Sequence, residues 1–337
     1  MKCFDAKYSR FPKAELHCHL EGAIRTATII DIAREYGLKL PAYDVAGLDP
    51  HVKVYDQLKD LGAVLEAFGI AQKSIASPAV VERIADELFE DVGQQNVKLL
   101  EIRFSPDWAF SGHALNWDEA LEGILRAKRR ATGQFGMAVG LIAITSRSLG
   151  VGSCEKTVDW AIRWKEHIHG VDLADGEADY PIKDFVKPML QAKEAGLKVT
   201  VHSGEDTPAS AVVDTIRALN PDRIRHGTHT IHDQAAVELV KERGVTLEMC
   251  PWSNYLTNSV KRIEDHPLKQ LFDQGVRVAI NSDDPEVLNT NLNNEYRIAH
   301  EILGMSLEDI AVCNRYAAEA SFIPAAEKRA VIEKYFS

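Results

Sequence analysis

The fold is decided by a unit that residues 233–254 display most clearly, DQAAVELVKERGVTLEMCPWSN. Its first part, 233–243, has apolar residues at helical spacing, and its second part, 245–254, is a short run that begins apolar and ends polar. Gly244 stands between the two, at the position where a glycine C-cap ends a helix. The unit therefore predicts a helix followed by a strand that is buried on both faces of a parallel sheet.

The same kind of apolar run recurs along the chain. The other runs are residues 14–19, 97–105, 137–145, 168–175, 197–205, 223–227 and 276–284. Gly196 precedes the run 197–205 and Gly275 precedes the run 276–284, as Gly244 precedes the run 245–254. Residues 79–91 have a further helical pattern. Eight strands that alternate with helices in one undivided chain favour an α/β fold of the (β/α)8 barrel type over a doubly wound sheet.

The domain organisation follows from the absence of linkers. A chain of 337 residues has room for about two domains, yet it contains no Ser/Gly-rich or low-complexity segment that would separate them. We therefore expect one barrel domain over residues 1–337. The segment 50–68 is long for a connection between a strand and a helix, so we expect a helical insertion after strand one, at about residues 50–95, that could cover the barrel mouth.

Composition excludes several classes of function. Lys and Arg total 39 against 50 Asp and Glu, a net charge of −11, which argues against binding of nucleic acid. No apolar run reaches the roughly 18 residues that would span a membrane. The five cysteines are scattered without a Cys-x-x-Cys pair, which indicates reduced thiols in the cytoplasm and excludes a zinc site built on such a pair.

Titratable residues end most of the expected strands. His17 and His19 lie two residues apart in strand one, so their imidazoles point to the same side. His202 ends strand five and Asp283 ends strand eight, and the carboxyl ends of barrel strands converge. Three histidines and a carboxylate form a coordination set suited to zinc. Further acid–base candidates at strand ends are Glu205, His226 and Asp284.

The other histidines carry no such pattern, because they fall in expected loops or helices. We assign a structural role to His51, His113, His167, His169, His229, His232, His266 and His300.

At these strand ends the chain resembles the adenosine deaminases of the amidohydrolase superfamily. The resemblance is carried by KAELHCHLEG (13–22), HSGE (202–205), RHG (225–227), CPWSN (250–254), NSDDP (281–285) and PAAEK (324–328). These motifs follow the order found in the family and cover nearly the whole chain. The combination of His-x-Gly-Glu with Asp-Asp-Pro is much narrower than His-x-His alone, which many metallohydrolases share.

The resemblance implies a mechanism for these residues. One Zn²⁺ would be held by His17, His19, His202 and Asp283. His226 would orient the attacking hydroxide, Asp283 would help to take its proton, and Glu205, as a protonated general acid, would deliver a proton to purine N1. Asp284 would accept a hydrogen bond from the purine at N7. Substrate-binding residues implied in this way are His19, Glu21, Gly176 and Asp284.

Two departures from the family leave the substrate open. Where adenosine deaminases usually read Asp-Leu-Ala-Gly, with the glycine amide at purine N3, this chain reads DLADGE over residues 172–177. Either Gly176 takes that role after a shift of one residue, or Asp175 occupies the glycine position. Glu21 stands where vertebrate-type members have Asp, and its longer side chain changes the 5′ end of the pocket.

The expected reaction is the zinc-dependent hydrolytic deamination of adenosine, and of 2′-deoxyadenosine, to the inosine-type product and ammonia. The alternatives are the same chemistry on adenine, methylthioadenosine or aminodeoxyfutalosine, hydrolysis of amides or phosphotriesters, and a non-catalytic binding protein. The expected partner is thus a small purine nucleoside. The net charge of −11 favours nucleosides over nucleotides.

Overall fold

The structure is a computed structural model that describes residues 7–58 and 61–337, with the backbone alone for residues 61–67. The strands are β1 (Lys13–His19), β2 (Val97–Phe104), β3 (Ala138–Ser146), β4 (Gly170–Ala174), β5 (Lys198–Ser203), β6 (Arg223–His226), β7 (Thr246–Met249) and β8 (Val278–Ile280). The helices are α1 (Thr26–Tyr36), α2 (Val45–Val52), α3 (Leu61–Ser74), α4 (Pro78–Gln94), α5 (Pro106–Ala109), α6 (Trp117–Phe135), α7 (Gly150–Arg163), α8 (Val186–Glu194), α9 (Ala209–Leu219), α10 (Gln234–Arg243), α11 (Pro251–Leu256), α12 (Leu268–Asp273), α13 (Leu292–Arg297), α14 (Leu307–Ala320) and α15 (Ala325–Tyr335).

The eight strands form one parallel sheet in chain order, from β1 to β8. The sheet closes where Asp283, just after β8, pairs with β1: the Asp283 amide donates to the His17 carbonyl at 2.8 Å, and the His19 amide donates to the Asp283 carbonyl at 2.9 Å. Helices lie between most consecutive strands and pack on the outside. The expected (β/α)8 barrel is confirmed.

The interior of the barrel is partly charged. Arg103, Asp172, Arg223, Arg225 and Glu248 are all fully buried and form ion pairs with one another inside the sheet, such as Arg103 Nη2 with Glu248 Oε2 at 2.8 Å. The main apolar core lies between the strands and the surrounding helices, where apolar side chains of both kinds of element pack together. A buried charged layer therefore lies where many barrels have only branched apolar side chains.

Two expected strands are shorter than their sequence patterns. The run 245–254 forms a strand only to Met249, because Pro251 has no N–H for the ladder and instead begins helix α11. The run 276–284 forms a strand over Val278–Ile280, and the residues after it turn into the barrel mouth. The expected glycine caps are confirmed, since Gly196, Gly244 and Gly275 all have left-handed φ values.

Helices α1 to α4 connect β1 with β2. Within the expected insertion, residues 53–58 contact the segments that follow β7 and β8: the Val54 amide donates to the Val287 carbonyl at 2.7 Å, and the Leu58 amide donates to the Leu256 carbonyl at 2.8 Å. Helix α4 packs against α6 in the outer layer. Residues 59–60 and the side chains of 61–67 lie outside the described part of the chain. That the insertion covers the barrel mouth stays a prediction.

In the part of the chain that the structure describes, no helix combines the length and the apolarity needed to cross a membrane. Cys18, Cys154, Cys250 and Cys313 are buried free thiols, as expected for reduced cysteines.

Candidate active site

A cavity of about 200 Å³ opens at the carboxyl ends of the strands. Among the residues that line it are His19, Glu21, Phe68, Ser105, Trp108, Ser146, Ser148, Asp175, His202, Glu205, His226, Asp283 and Asp284. The cavity collects side chains from segments that are far apart in sequence because the carboxyl ends of all strands meet at this face.

The barrel closure brings Asp283 against two imidazoles of β1. Asp283 Oδ1 lies 2.7 Å from His17 Nε2 and 3.3 Å from His19 Nε2. The backbone of Asp283 is left-handed, with φ +65°, an uncommon conformation for a residue other than glycine. Such strained positions cluster at functional sites. Here the conformation turns the carboxylate into the cavity, while the other oxygen, Oδ2, accepts a hydrogen bond from Ser253 Oγ at 2.7 Å.

His202 at the end of β5 completes the group. Its ring lies 5.6 Å from the ring of His17 and 6.2 Å from that of His19, measured between centroids. Its Nδ1 lies 3.3 Å from the Leu173 carbonyl and 3.3 Å from Asp172 Oδ1, so these acceptors bind the Nδ1 proton and leave Nε2 for the cavity. One nitrogen of each of the three histidines lies within 4.8 Å of the others.

The donor set fits a divalent metal ion. His17 Nε2 is fully buried and has no hydrogen-bond partner among the described residues, although a carboxylate oxygen lies 2.7 Å away. Burial lowers the pKa of His17 well below its usual value and that of His19 to about 4, so both imidazoles are neutral, which is the form that binds a metal. Nitrogen and carboxylate ligands in this number are those of zinc sites.

Glu205 and His226 face each other across the same cavity. His226 Nε2 lies 3.2 Å from Glu205 Oε2, and Thr257 Oγ1 donates to Glu205 Oε1 at 3.2 Å. Burial of Glu205, together with the charges of Asp283 and Glu177, raises the pKa of the Glu205 carboxyl well above its usual value. This shift favours the protonated form of the Glu205 carboxyl.

A chain of hydrogen bonds fixes the tautomer of His226. The Leu268 amide donates to His266 Nδ1 at 3.3 Å, so the proton of His266 is on Nε2, which donates to Asn254 Oδ1 at 3.1 Å. The Asn254 amide then donates to His226 Nδ1 at 3.0 Å, which leaves the His226 proton on Nε2, facing the cavity. Burial lowers the pKa of His266 to about 3, so this residue is neutral. The sequence assigned it only a structural role, and its place in this chain depends on tertiary contacts.

Asp284 lies on the cavity wall, next to Gly22. Its Oδ1 is buried and has no hydrogen-bond partner within the described residues. A Cβ on Gly22 would lie 1.9 Å from this oxygen, so only glycine leaves room for the carboxyl group. Burial and the charge of Asp283 raise the pKa of Asp284 well above its usual value.

Glu21 is buried nearby and accepts the Ser105 amide on Oε1 at 2.7 Å. Burial raises the pKa of Glu21 to about 7.

Of the two residues considered at the end of β4, Asp175 lines the cavity and Gly176 does not. The amide of Gly176 donates to Asp175 Oδ1 at 2.8 Å, so it is already bonded within its own loop. The role of Gly176 in substrate binding stays a prediction. Asp175 adopts a left-handed φ of +79°, which a glycine would adopt without strain.

Sequence reasoning missed several supporting residues. Glu177 accepts the amides of Gly204, at 2.7 Å, and Glu205, at 3.1 Å, and so holds the loop that carries Glu205. Arg225 borders the histidines, with its Nη2 2.9 Å from His19 Nε2 and its Nε 3.2 Å from His17 Nδ1. Glu177 follows an apolar run and Arg225 lies within one, and no regular spacing marks either residue in the sequence. Only the folding of the barrel brings them to the site.

Comparison with known proteins bears on this site. The sequence profile of the family described as adenosine deaminase matches residues 12–336. The chain is also 35% identical to an adenosine deaminase of Vibrio parahaemolyticus, over 96% of this chain and 97% of that protein. The chain belongs to the adenosine deaminase family. Adenosine deaminase family membership makes this chain an enzyme of the deaminase class, and the histidine–aspartate cluster is its candidate metal site.

Among the solved structures similar to this chain are deaminases named for different purines. An adenine deaminase from Arthrobacter aurescens superposes with a TM-score of 0.89 at 26% identity, covering 96% of this chain and 98% of that one. The N6-methyl-AMP deaminase of Arabidopsis thaliana, in its apo form, superposes with a TM-score of 0.83 at 25% identity, covering 97% of each chain.

Proposed function

We propose that this chain catalyses the hydrolytic deamination of adenosine, and of 2′-deoxyadenosine, to the inosine-type product and ammonia, with one Zn²⁺ per chain. The observation that carries the proposal is the pairing, in one cavity, of a buried protonated carboxyl, Glu205, with the cluster of His17, His19, His202 and Asp283. When bound by these four ligands, zinc would supply a Lewis-acid charge and lower the pKa of a water molecule.

Glu205 acts as the general acid in this mechanism. Attack at C6 breaks the aromaticity of the purine unless N1 gains a proton, and a carboxyl that stays protonated near neutral pH can donate one. The hydrogen bond that Glu205 Oε1 accepts from Thr257 fixes the orientation of the carboxyl group, with Oε2 3.2 Å from His226 Nε2 at the cavity.

His226 and Asp283 act on the attacking oxygen. The Nε2 proton of His226, fixed by the chain through Asn254, is available to orient that oxygen and to stabilise its negative charge. Asp283 has one oxygen occupied by Ser253 and the other directed toward the histidines, so the second oxygen can accept the proton that water loses.

Asp284 contributes to purine recognition as a hydrogen-bond donor, whereas the sequence analysis expected it to accept. Purine N7 has a lone pair and no proton, so it can only accept a hydrogen bond. A carboxyl with a raised pKa supplies a donor, and Asp284 Oδ1, unpartnered within the described residues, is available for that contact.

The lining of the cavity favours an unphosphorylated substrate. Besides histidines, its titratable side chains are all carboxyl groups, namely those of Glu21, Asp175, Glu205, Asp283 and Asp284, and no Lys or Arg is among the described lining residues. A phosphate group would therefore meet no cation to pair with. A second candidate substrate is adenine, favoured by the similarity to the Arthrobacter aurescens adenine deaminase.

The test is a substrate panel on the purified chain with its zinc content measured on the same sample. The loss of ultraviolet absorbance that accompanies deamination is followed for adenosine, 2′-deoxyadenosine, adenine, methylthioadenosine and aminodeoxyfutalosine, before and after removal and readdition of zinc. We expect adenosine to have the highest kcat/KM and zinc to restore activity at one ion per chain. A kcat/KM for adenosine below about a hundredth of that for another substrate, a difference worth about 2.7 kcal/mol, would overturn the proposal.

A further inference from the structure

Three oxygen atoms form a triangle on one wall of the cavity. Ser146 ends β3, Ser148 follows it, and Asp175 follows the neighbouring strand β4. Ser146 Oγ lies 2.6 Å from Asp175 Oδ2 and 3.0 Å from Ser148 Oγ, and Ser148 Oγ also bonds to the same carboxylate oxygen. All three residues line the cavity, and neither serine takes part in the mechanism described above.

Both serine hydroxyls in the triangle donate to Asp175 Oδ2. Each hydroxyl has one proton, and the carboxylate has none when it is ionised. Burial by itself raises the pKa of Asp175, but the bonds from Ser146 and Ser148 outweigh that effect and keep the pKa below its ordinary value, so the carboxylate is ionised near neutral pH. Both protons are therefore in use, and the oxygens of the triangle have only lone pairs left for a ligand.

The spare lone pairs define the chemistry of a ligand. A hydroxyl group can donate to these oxygens, whereas a purine ring nitrogen without a proton cannot. A phosphate would add negative charge beside an ionised carboxylate and would be repelled. The triangle is therefore suited to a neutral hydroxyl donor.

The order of the strands places the triangle at one edge of the substrate. With N1 at Glu205, after β5, and C6 toward His226, after β6, the N3 edge of the purine faces the other neighbour of β5, which is β4. In a nucleoside the 2′-hydroxyl is attached next to the anomeric carbon, and it is the sugar hydroxyl nearest to N3.

We infer that Ser146, Ser148 and Asp175 bind the 2′-hydroxyl group of the substrate's ribose, so that the chain prefers adenosine to 2′-deoxyadenosine. This inference rests on the proposed function, because it uses the purine orientation of that mechanism. It adds residues after β3 and β4 that would distinguish ribose from 2′-deoxyribose.

The test compares kcat/KM for adenosine, 2′-deoxyadenosine, 3′-deoxyadenosine and 2′-deoxy-2′-fluoroadenosine. The fluorine analogue keeps an electronegative group at the 2′ position but has no proton to donate. One hydrogen bond to an ionised group predicts a kcat/KM for adenosine at least about tenfold above those for both 2′ analogues. The 3′-deoxy compound should resemble adenosine.

Two substitutions change the number of protons in the triangle. Ser148→Ala leaves one proton for the single contact between Ser146 and Asp175, and Asp175→Asn adds amide protons in a side chain of the same shape. Both variants should bring the ratio of kcat/KM for adenosine to that for the 2′-fluoro analogue to within about threefold of one. Ser210→Ala, at an exposed position on α9 that does not line the cavity, is the matched control and should keep the ratio of the unmodified chain.

The outcomes separate this inference from the proposed function. If the zinc-loaded chain deaminates adenosine but the ratio is near one, or if both variants keep the ratio of the unmodified chain, this inference fails alone. It also fails alone if the 3′-deoxy analogue suffers the larger loss. If no purine of either panel is deaminated, the proposed function and this inference fail together.

Discussion

Replacement of Glu205 by glutamine separates catalysis from folding more sharply than any other substitution in the cavity. The side chain is 4% exposed and has two contacts, with Thr257 and His226 at 3.2 Å each. Glutamine has the same shape and can satisfy both, because its carbonyl accepts from His226 while its amide donates to the Thr257 hydroxyl. It cannot transfer a proton to purine N1. We therefore expect the fold and the metal site to persist.

The size of each effect follows from the environment of Glu205. Loss of a positioned general acid costs about 10²- to 10⁴-fold in kcat, or about 2.7–5.5 kcal/mol of transition-state stabilisation. The effect on stability has the opposite sign. Because the folded pKa of Glu205 lies above the unfolded value of about 4.3, the folded state of the unmodified chain loses stability as pH rises from that value through the folded pKa. Glutamine removes this loss, so the variant should melt at or above the parent temperature at pH 7.

The assay measures kcat with adenosine, the zinc content and the melting temperature at pH 5 and pH 7 on the same preparations. Glu242→Gln, an exposed glutamate on α10, is the control for the chemical change. Retention of more than about a tenth of the parent kcat, against the minimum of about a hundredfold loss expected, would remove Glu205 from the general-acid role. A variant that loses its zinc would show that Glu205 supports the metal site.

Further predictions concern the surroundings of the same cavity. Gly22→Ala puts a Cβ 1.9 Å from Asp284 Oδ1 and should lower the free energy of unfolding by about 1–3 kcal/mol. It should also lower kcat/KM while zinc is retained, and unchanged kinetics would contradict the N7 role of Asp284. Asn254→Leu breaks the chain that holds the His226 tautomer, so kcat should fall by about tenfold or more with little change in KM, and rescue by Asn254→Gln would support positioning over packing. In the unmodified chain, kcat should decrease on the alkaline side as pH rises through the raised pKa of Glu205, and a profile without such a decrease would count against a protonated acid. Zinc at about 1,000 times its Kd should add about 4 kcal/mol to the free energy of unfolding, measurable as a lower melting temperature after chelation.

The barrel and its candidate metal ligands could be predicted from the sequence because both depend on local patterns. Gly244 marks a helix end followed by a buried strand, and the spacing of His17 and His19 puts both imidazoles on one side of a strand. Strand ends were less predictable. The residues after Met249 continue an apolar pattern, yet Pro251 turns the chain into a helix.

Contacts between distant strands decided the rest of the site. His266 lies in a loop and carries no spacing signal, but it fixes the proton on His226 through Asn254. Asp175 lines the cavity with a left-handed backbone just after β4, a conformation that residue type alone does not determine.

The sequence by itself determined that the chain alternates strands and helices, that histidines and carboxylates end several strands, and that these motifs are those of the adenosine deaminase family. Only the tertiary structure decided which protons those residues carry. Burial sets the pKa of Glu205, the contact with β1 turns Asp283 toward the histidines, and Ser146 and Ser148 meet Asp175 across two strands. The reason is physical: residue type and spacing are local, whereas desolvation and hydrogen-bond partners depend on every segment that the barrel brings to one face.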